Sequence, residues 1–589
     1  MLQILSTHNL IKLTRRNKEL GAKKTLKKRT QSVLNLLAFW IDTMKSSWAS
    51  NKFLWLAGVA LLVGIGLRRK GSNAWLEKVP RFAFQKITVP YTSDPVDSTQ
   101  LYASTHEIKE PINGKSLGNI PSWLNGSLLK NGPGLFEFGN GEEVKHIFDG
   151  MAMISKTSVT KSKNLTSAAI SRKFIDSGIL QRSLDQKKHG GLGSFYVPPE
   201  WTAFDRLSAL IREDMADNSL VAIISLFGHH YATSELPIIH EFNPNTLETI
   251  GIVDLAKLVP ALKDLKTMTP HPLLESDGTL WNMGMMANSN GIQAAIIKVP
   301  PPETDEEKQN PWLKAQLVSA IPTSRGFSFP YFHSFFMTPN YIIYPEQPYI
   351  IGDLFKTLWE FVIKGNPFMD AMYWDENALT SFRVVEKATG KLLPISYNTE
   401  PMAYFHIINA YEDQGHLIVD APFNAAASYD FMRMDILKLK GKELSDFVYK
   451  SNKENPRGCM RFALPLKTPK YENAIKKLKS IEGAKTYLVD ASTVYLHPEY
   501  LAPPDHISAL RYEFPAVNPQ FQGQKYNSAY GIEFGRGILH GSGIVKLDLN
   551  KRQFVKKWEG SDCYSSEPLF IPRYGHAILC SFLFFYVAF

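Results

Sequence analysis

The sequence predicts an all-β fold, on three observations. Beyond residue 80, short stretches rich in β-branched and aromatic residues, such as 219–227, 341–344, 416–419 and 486–489, alternate with clusters of Gly, Pro, Asn and Asp. That is the texture of many short strands joined by turns. Only residues 351–363 and 425–438 show spacing near 3.6, and these read as helical insertions in the strand pattern. At 589 residues, 44% hydrophobic and 21% charged, the chain is globular and long enough for one large core. No near-identical repeat of fixed period is visible, so strand density alone does not separate a propeller from a barrel.

The N-terminal part has a different character. Residues 1–70 hold fourteen Lys/Arg against two acids, Glu19 and Asp42, so the remainder of a chain of net charge +10 carries −2. A nearly neutral body gives no support for nucleic-acid binding. The basic leader runs into residues 53–67, fifteen uncharged and mostly apolar positions closed by Arg68, Arg69 and Lys70. Fifteen is short of the roughly 20 needed to span a bilayer. Residues 1–75 therefore read as a targeting segment of the mitochondrial kind or as a membrane anchor, with a packed helix in an otherwise loose tail as the plain alternative.

Only Cys459, Cys563 and Cys580 occur, with no CxxC pair, so neither a disulfide framework nor a thiolate zinc site is available. A tightly held metal must use histidine and carboxylate. Three histidines stand out in strand-like or turn settings flanked by apolar residues: His271 in Thr269-Pro270-His271-Pro272, His333 in residues 330–335 and His406 in residues 404–409. They lie 62 and 73 residues apart. Such separations suit ligands taken singly from successive structural units, but on spacing alone hydrogen-bonded core histidines explain them as well.

Seven motifs in order carry a resemblance to a known family. They are Asn131-Gly132-Pro133-Gly134, His146-Ile147-Phe148-Asp149-Gly150, residues 243–249 (NPNTLET), 330–340 (PYFHSFFMTPN), 405–413 (FHIINAYED), 513–518 (EFPAVN) and 566–570 (SEPLF). This series resembles the carotenoid cleavage oxygenases, most closely the animal branch that holds the β-carotene oxygenases and the retinoid isomerohydrolase, over residues 80–573. The resemblance implies a seven-bladed β-propeller with a helical cap, an apolar tunnel, and an iron(II) on the axis held by four histidines. Three of those ligands carry over to His271, His333 and His406. It also implies that Glu235 orients His333, that Glu513 orients His406, and that Glu567 matches the glutamate serving the fourth histidine. His146 belongs to a family motif without being a ligand there and is expected to be structural.

The implied activity is oxidative cleavage of a double bond in a carotenoid or apocarotenoid by dioxygen, giving carbonyl products, with a membrane surface as a further partner. Two departures accompany the resemblance. The family's fourth histidine lies about a blade beyond the glutamate matched by Glu567, whereas the sequence ends 22 residues past it, at Phe589. The last blade is therefore expected to be incomplete and residues 574–589 to be an atypical apolar tail, where His576 sits in a context unlike the family's. There is also no cysteine near Pro198-Pro199-Glu200, where animal relatives carry one. The alternative function is an inactive, shortened isoform or paralogue that binds an apolar isoprenoid.

Overall fold

A computed structural model describes residues 75–84, 99–114, 120–121, 123–162, 165–212, 216–326, 328–353, 357–503, 512–534, 541–559, 565–572 and 580–583. The leader 1–74, including the apolar run 53–67, and His576 lie outside them. Strands dominate, as the sequence predicts, and they form antiparallel sheets laid out in chain order.

The first sheet pairs Ile108–Gly114, Leu165–Phe174, Met151–Ser162 and Gly126–Leu135 in that spatial order. The second runs Ala222–Leu226, His229–Thr233, Ile238–Phe242 and Thr249–Asp254 as a meander. In the third, Leu265–Met268 and Leu273–Leu274 both pair with Leu280–Asn288, followed by Gly291–Val299 and Gln316–Pro322. The fourth begins Phe336–Met337, Tyr341–Glu346, Thr380–Glu386 and Ser396–Thr399. It is widened by parallel pairing of Ser396–Thr399 with Thr493–His497. The fifth holds Asn409–Asp413, His416–Asn424, Arg457–Pro465 and Glu499–Tyr500, and the sixth Tyr512–Ala516, Ser528–Phe534, Gly541–Asp548 and Gln553–Glu559. Last come Leu569–Pro572 and Cys580–Leu583, which places part of the apolar tail in a strand pair.

Central strands are buried on both faces, which explains their near-continuous apolar runs: seven consecutive residues of Leu280–Asn288 are buried. Packing is close enough that a Cβ on Gly284 would lie 2.2 Å from the Thr267 carbonyl oxygen of the neighbouring strand. Polar side chains tie sheet to sheet. Asn131 of the NGPG motif donates to the Ser219 and Ala222 carbonyls at 2.8 and 3.0 Å, linking the first sheet to the second. Glu412 of FHIINAYED accepts from Thr338 Oγ1 at 2.7 Å and from the Asn340 N–H at 3.1 Å, which locks the fifth sheet onto the TPN end of the fourth. Asn409 donates to the Phe521 and Gln524 carbonyls, at 2.8 and 3.0 Å, and so reaches the sixth. The segment before Leu569 bonds to the sixth sheet through Ser565 and the Gly543 carbonyl, at 3.1 Å, and to the first through Ser566 and Lys130.

The helical expectations need correction in part. Within 351–363, residues 351–353 belong to the strand Tyr349–Asp353, which pairs with Ser328–Pro330 and Met372–Trp374, whereas residues 357–363 are helical as expected and pass into the π-helical turn Trp359–Lys364. Ile350 and Ile351 make good strand residues once two partners are available, and pairing outweighs periodicity. Within 425–438 the helix shrinks to Asp430–Met432 and Met434–Leu437. Three longer helices, Gly178–Gln186, Ala203–Arg212 and Gly441–Glu454, fall outside the two segments whose spacing reads as helical.

Within the fifth sheet, across from the sixth, lies a buried ion pair between facing residues of neighbouring strands. Arg461 grips Asp420 with two hydrogen bonds of 2.8 and 2.7 Å, and Tyr526 donates to the same carboxylate at 2.7 Å. The pair is 5% and 0% exposed. Asp420→Asn leaves the buried guanidinium with Glu482 alone, at 3.1 Å, so it is expected to lower unfolding stability by about 3 kcal/mol, the low end for a broken buried pair. Denaturant titration checks this, and a loss below about 1 kcal/mol, the scale of a surface pair, would contradict it.

Candidate metal centre

Three consecutive sheets each place one histidine beside the strand that opens the sheet. His271 follows Leu265–Met268 and precedes Leu273–Leu274, His333 precedes Phe336–Met337, and His406 precedes Asn409–Asp413. Pro270 and Pro272 fix the backbone on either side of His271. Thr269 anchors that loop: its N–H donates to the Met283 carbonyl at 2.8 Å, its carbonyl accepts from Asn282 at 3.0 Å, and its hydroxyl accepts from the His271 N–H at 3.2 Å. Around His333, the Tyr331 N–H donates to the Tyr349 carbonyl at 2.8 Å, and Ser334 reaches the Phe405 carbonyl at 2.6 Å, directly before His406.

The three rings meet at almost equal spacing, with centroids 4.6, 5.1 and 5.0 Å apart, and one donor nitrogen from each lies within 4.8 Å of the others. His333 Nδ1 bonds Glu235 at 2.7 Å and His406 Nδ1 bonds Glu513 at 2.8 Å. With Nδ1–H given to a carboxylate, Nε2 of each ring is left as a lone-pair donor aimed inward. His271 Nε2 stands 2.9 Å from His333 Nε2. Burial first, then the neighbouring imidazoles, holds His271 and His333 well below the usual histidine range, so both are neutral and able to ligate. No other cluster of metal-binding geometry occurs among the described residues.

The two glutamates are held in their turn. Glu513 accepts from the Phe514 N–H at 2.8 Å, and Phe514 adopts a left-handed φ of 48°, a strained conformation that puts its ring 4.5 Å from His406. Glu235 accepts from the Tyr331 hydroxyl. Although 27% of its side-chain surface is accessible, protein surrounds Glu235 at longer range. That poor solvation raises its carboxyl to about 7, against the Tyr331 hydrogen bond, which pulls the other way.

The structure thus brings together His271, His333, His406, Glu235 and Glu513. Glu567 is not among them: it is exposed, and its charge lies near Lys130 rather than beside a histidine of the cluster. Sequence reasoning missed Tyr331, whose only signal is its i−2 position to His333, and Tyr429, whose hydroxyl bonds that of Tyr331 across 98 residues.

Comparison with known proteins follows the same lines. The family described as "Retinal pigment epithelial membrane protein" matches residues 102–579. The chain is 32% identical over 490 residues to the "Carotenoid-cleaving dioxygenase, mitochondrial" of Macaca fascicularis, covering 80% of this chain and 84% of that protein. It is 31% identical to the human protein of the same name over 81% of each. A variant of Synechocystis apocarotenoid oxygenase superposes with a TM-score of 0.60 at 19% identity, over 82% of this chain and 88% of the other. A cobalt-substituted form of the Synechocystis enzyme superposes at 0.59 with the same coverage.

Removing one of three converging donors leaves a site that cannot close on a cation. His333→Ala or His406→Ala is therefore expected to abolish retention of divalent metal in elemental analysis of the purified chain. Stoichiometric metal after either substitution would contradict the arrangement.

Proposed function

The chain belongs to the retinal pigment epithelial membrane protein family, that of the carotenoid oxygenases, and on that premise we propose that it cleaves a carotenoid or apocarotenoid double bond with dioxygen at an iron(II) centre. The observation that supports this most is the convergence of His271, His333 and His406 with no carboxylate among the donors. Two inward lone pairs, from His333 and His406, sit beside the His271 nitrogen, and a cation between them would take all three, so the donor set fits a metal. Neutral imidazoles suit iron(II) and leave positions open for a small molecule. When bound, the metal supplies activation of dioxygen, and the two oxygen atoms end on the two carbons of the severed bond, giving two carbonyl products without a further reductant.

The chain's own residues position and exclude. Tyr331, Tyr349, Tyr429, Phe148, Phe195 and Phe405 form an aromatic wall on the His333 side, with the Phe405 ring 6.0 Å from that histidine. These rings pack mostly edge to face, Tyr331 on Tyr429 at 84° and Phe405 on Tyr429 at 65°, and an apolar wall of this kind fits a long polyene laid past the donors and keeps water from them. The described sheets are read as blades of a seven-bladed propeller and the intervening helices as its cap.

Two further features bear on place. Among the described residues no helix is long and apolar enough to cross a membrane. Helix Ala203–Arg212 and the turn Trp359–Lys364 are joined by Arg206, which donates to the Val362 carbonyl at 3.0 Å, and they hold out Phe204, Trp359 and Ile363 at 76%, 50% and 48% exposure. This face is read as the one that meets a lipid surface, where substrate dissolves. The basic leader 1–75 is read as an organelle address, in keeping with relatives named mitochondrial.

Iron-loaded chain incubated with β-carotene or an apocarotenal is expected to give oxygen-dependent aldehyde products by chromatography, and His406→Ala none. Absence of carbonyl product from every polyene offered would contradict the assignment. A reporter behind residues 1–75 is expected in mitochondria, and Phe204→Glu with Trp359→Glu is expected to release the chain from phosphatidylcholine vesicles. A cytosolic reporter would remove the address, and unchanged sedimentation the lipid face.

A further inference from the structure

The HIFDG motif supplies no donor to the metal centre, yet both of its polar side chains are buried and used. Asp149 is 2% exposed and accepts the Phe195 N–H on both oxygens at 3.2 Å, which seats the Phe195 ring flat on His146, with centroids 3.5 Å apart and planes 12° apart. His146, 1% exposed, accepts the Phe148 N–H on Nδ1 at 3.2 Å. The proton must then sit on Nε2, which donates to the Tyr429 carbonyl at 3.2 Å. Tyr429 continues the series. Its hydroxyl bonds the Tyr331 hydroxyl, the Tyr331 hydroxyl bonds Glu235, and the Glu235 oxygen that receives it also receives His333 Nδ1–H at 2.7 Å. Because Tyr331 spends its own hydrogen on the carboxylate, the hydroxyl of Tyr429 is the donor between the two phenols.

We propose that His146, Tyr429 and Tyr331 are positioning residues that fix Glu235 behind His333, so that the ring orientation of one metal donor is set from the HIFDG motif. The proposal rests on the reading of His333 as a metal donor. Glu235 follows the strand His229–Thr233 of the second sheet, whereas His333 opens the fourth, and among the described residues Tyr331 gives that carboxylate a second hydrogen bond at the same oxygen. The Tyr331 hydroxyl also stands 3.0 Å from His333 Nδ1, and without it the carboxylate and the imidazole are held by each other alone. A carboxylate that orients a metal histidine typically contributes 10–100-fold to affinity, and a group that holds the carboxylate contributes a part of that.

Cobalt(II) titration of metal-free protein, followed by its visible ligand-field bands, tests this with Tyr331→Phe, Tyr429→Phe and the double variant. Each substitution keeps the ring and removes only the hydroxyl. Tyr331→Phe is expected to weaken cobalt binding about tenfold and to shift the bands. Tyr429→Phe is expected to do the same more weakly and to add nothing in the Tyr331→Phe background, because it acts through that residue. Bands and affinity unchanged in Tyr331→Phe, or a Tyr429→Phe effect undiminished in the double variant, would overturn the chain of contacts. Should Tyr331→Phe fail to fold, Tyr429→Phe alone decides, since it removes the outer link. No cobalt on the wild-type chain would remove the metal reading and this one together, whereas binding indifferent to both hydroxyls removes this one alone.

Discussion

Two hydrogen bonds, from His333 Nδ1 to Glu235 and from His406 Nδ1 to Glu513, impose conditions on almost everything around them. Each joins side chains from different sheets, so neither forms unless the sheets stand in one register and at one separation. Each also holds a carboxylate in poorly solvated surroundings, which costs free energy unless its lone pairs are filled. Tyr331 fills one on Glu235 and the Phe514 N–H one on Glu513. The strained backbone at Phe514 is what brings that N–H and its ring to the same side of His406.

Register between sheets is supplied by polar clamps more than by the core, since apolar packing tolerates sliding better than hydrogen bonds do. Glu412 closes on Thr338 and Asn340 a few residues beyond His333, and Asn409 closes on Phe521 and Gln524 three residues beyond His406. The Arg461–Asp420–Tyr526 group does the same between the fifth and sixth sheets, deeper in the structure. Motif residues that look like surface polars in the sequence are therefore the fasteners that place the histidines.

What was legible in the sequence follows from how local its cause is. Strands Tyr341–Glu346, His416–Asn424 and Lys485–Leu488 stood out because their own residues prefer extended backbone, and the three histidines because their motifs were recognisable. The carboxylate partners came through the family resemblance and could not have come from spacing, because 98 and 107 residues separate each pair. Tyr429 and the link from His146 were invisible for the same reason. Residues 351–363 were legible in their second half, where 357–363 are helical, but not at 351–353, because two partner strands claim Tyr349–Asp353. Glu567, matched to the glutamate of a fourth histidine, is exposed and lies apart from the three-histidine cluster.

Three imidazoles, with no carboxylate among the donors, converge where the proposed iron(II) would be held. X-ray absorption at the iron edge of the loaded chain tests this arrangement most directly, because imidazole rings give an outer-shell scattering pattern that carboxylates and water do not. That pattern is expected at an intensity of at least three histidines, reduced in Glu513→Gln as the His406 ring loses its fixed orientation. A shell of oxygen atoms without the imidazole pattern would contradict it.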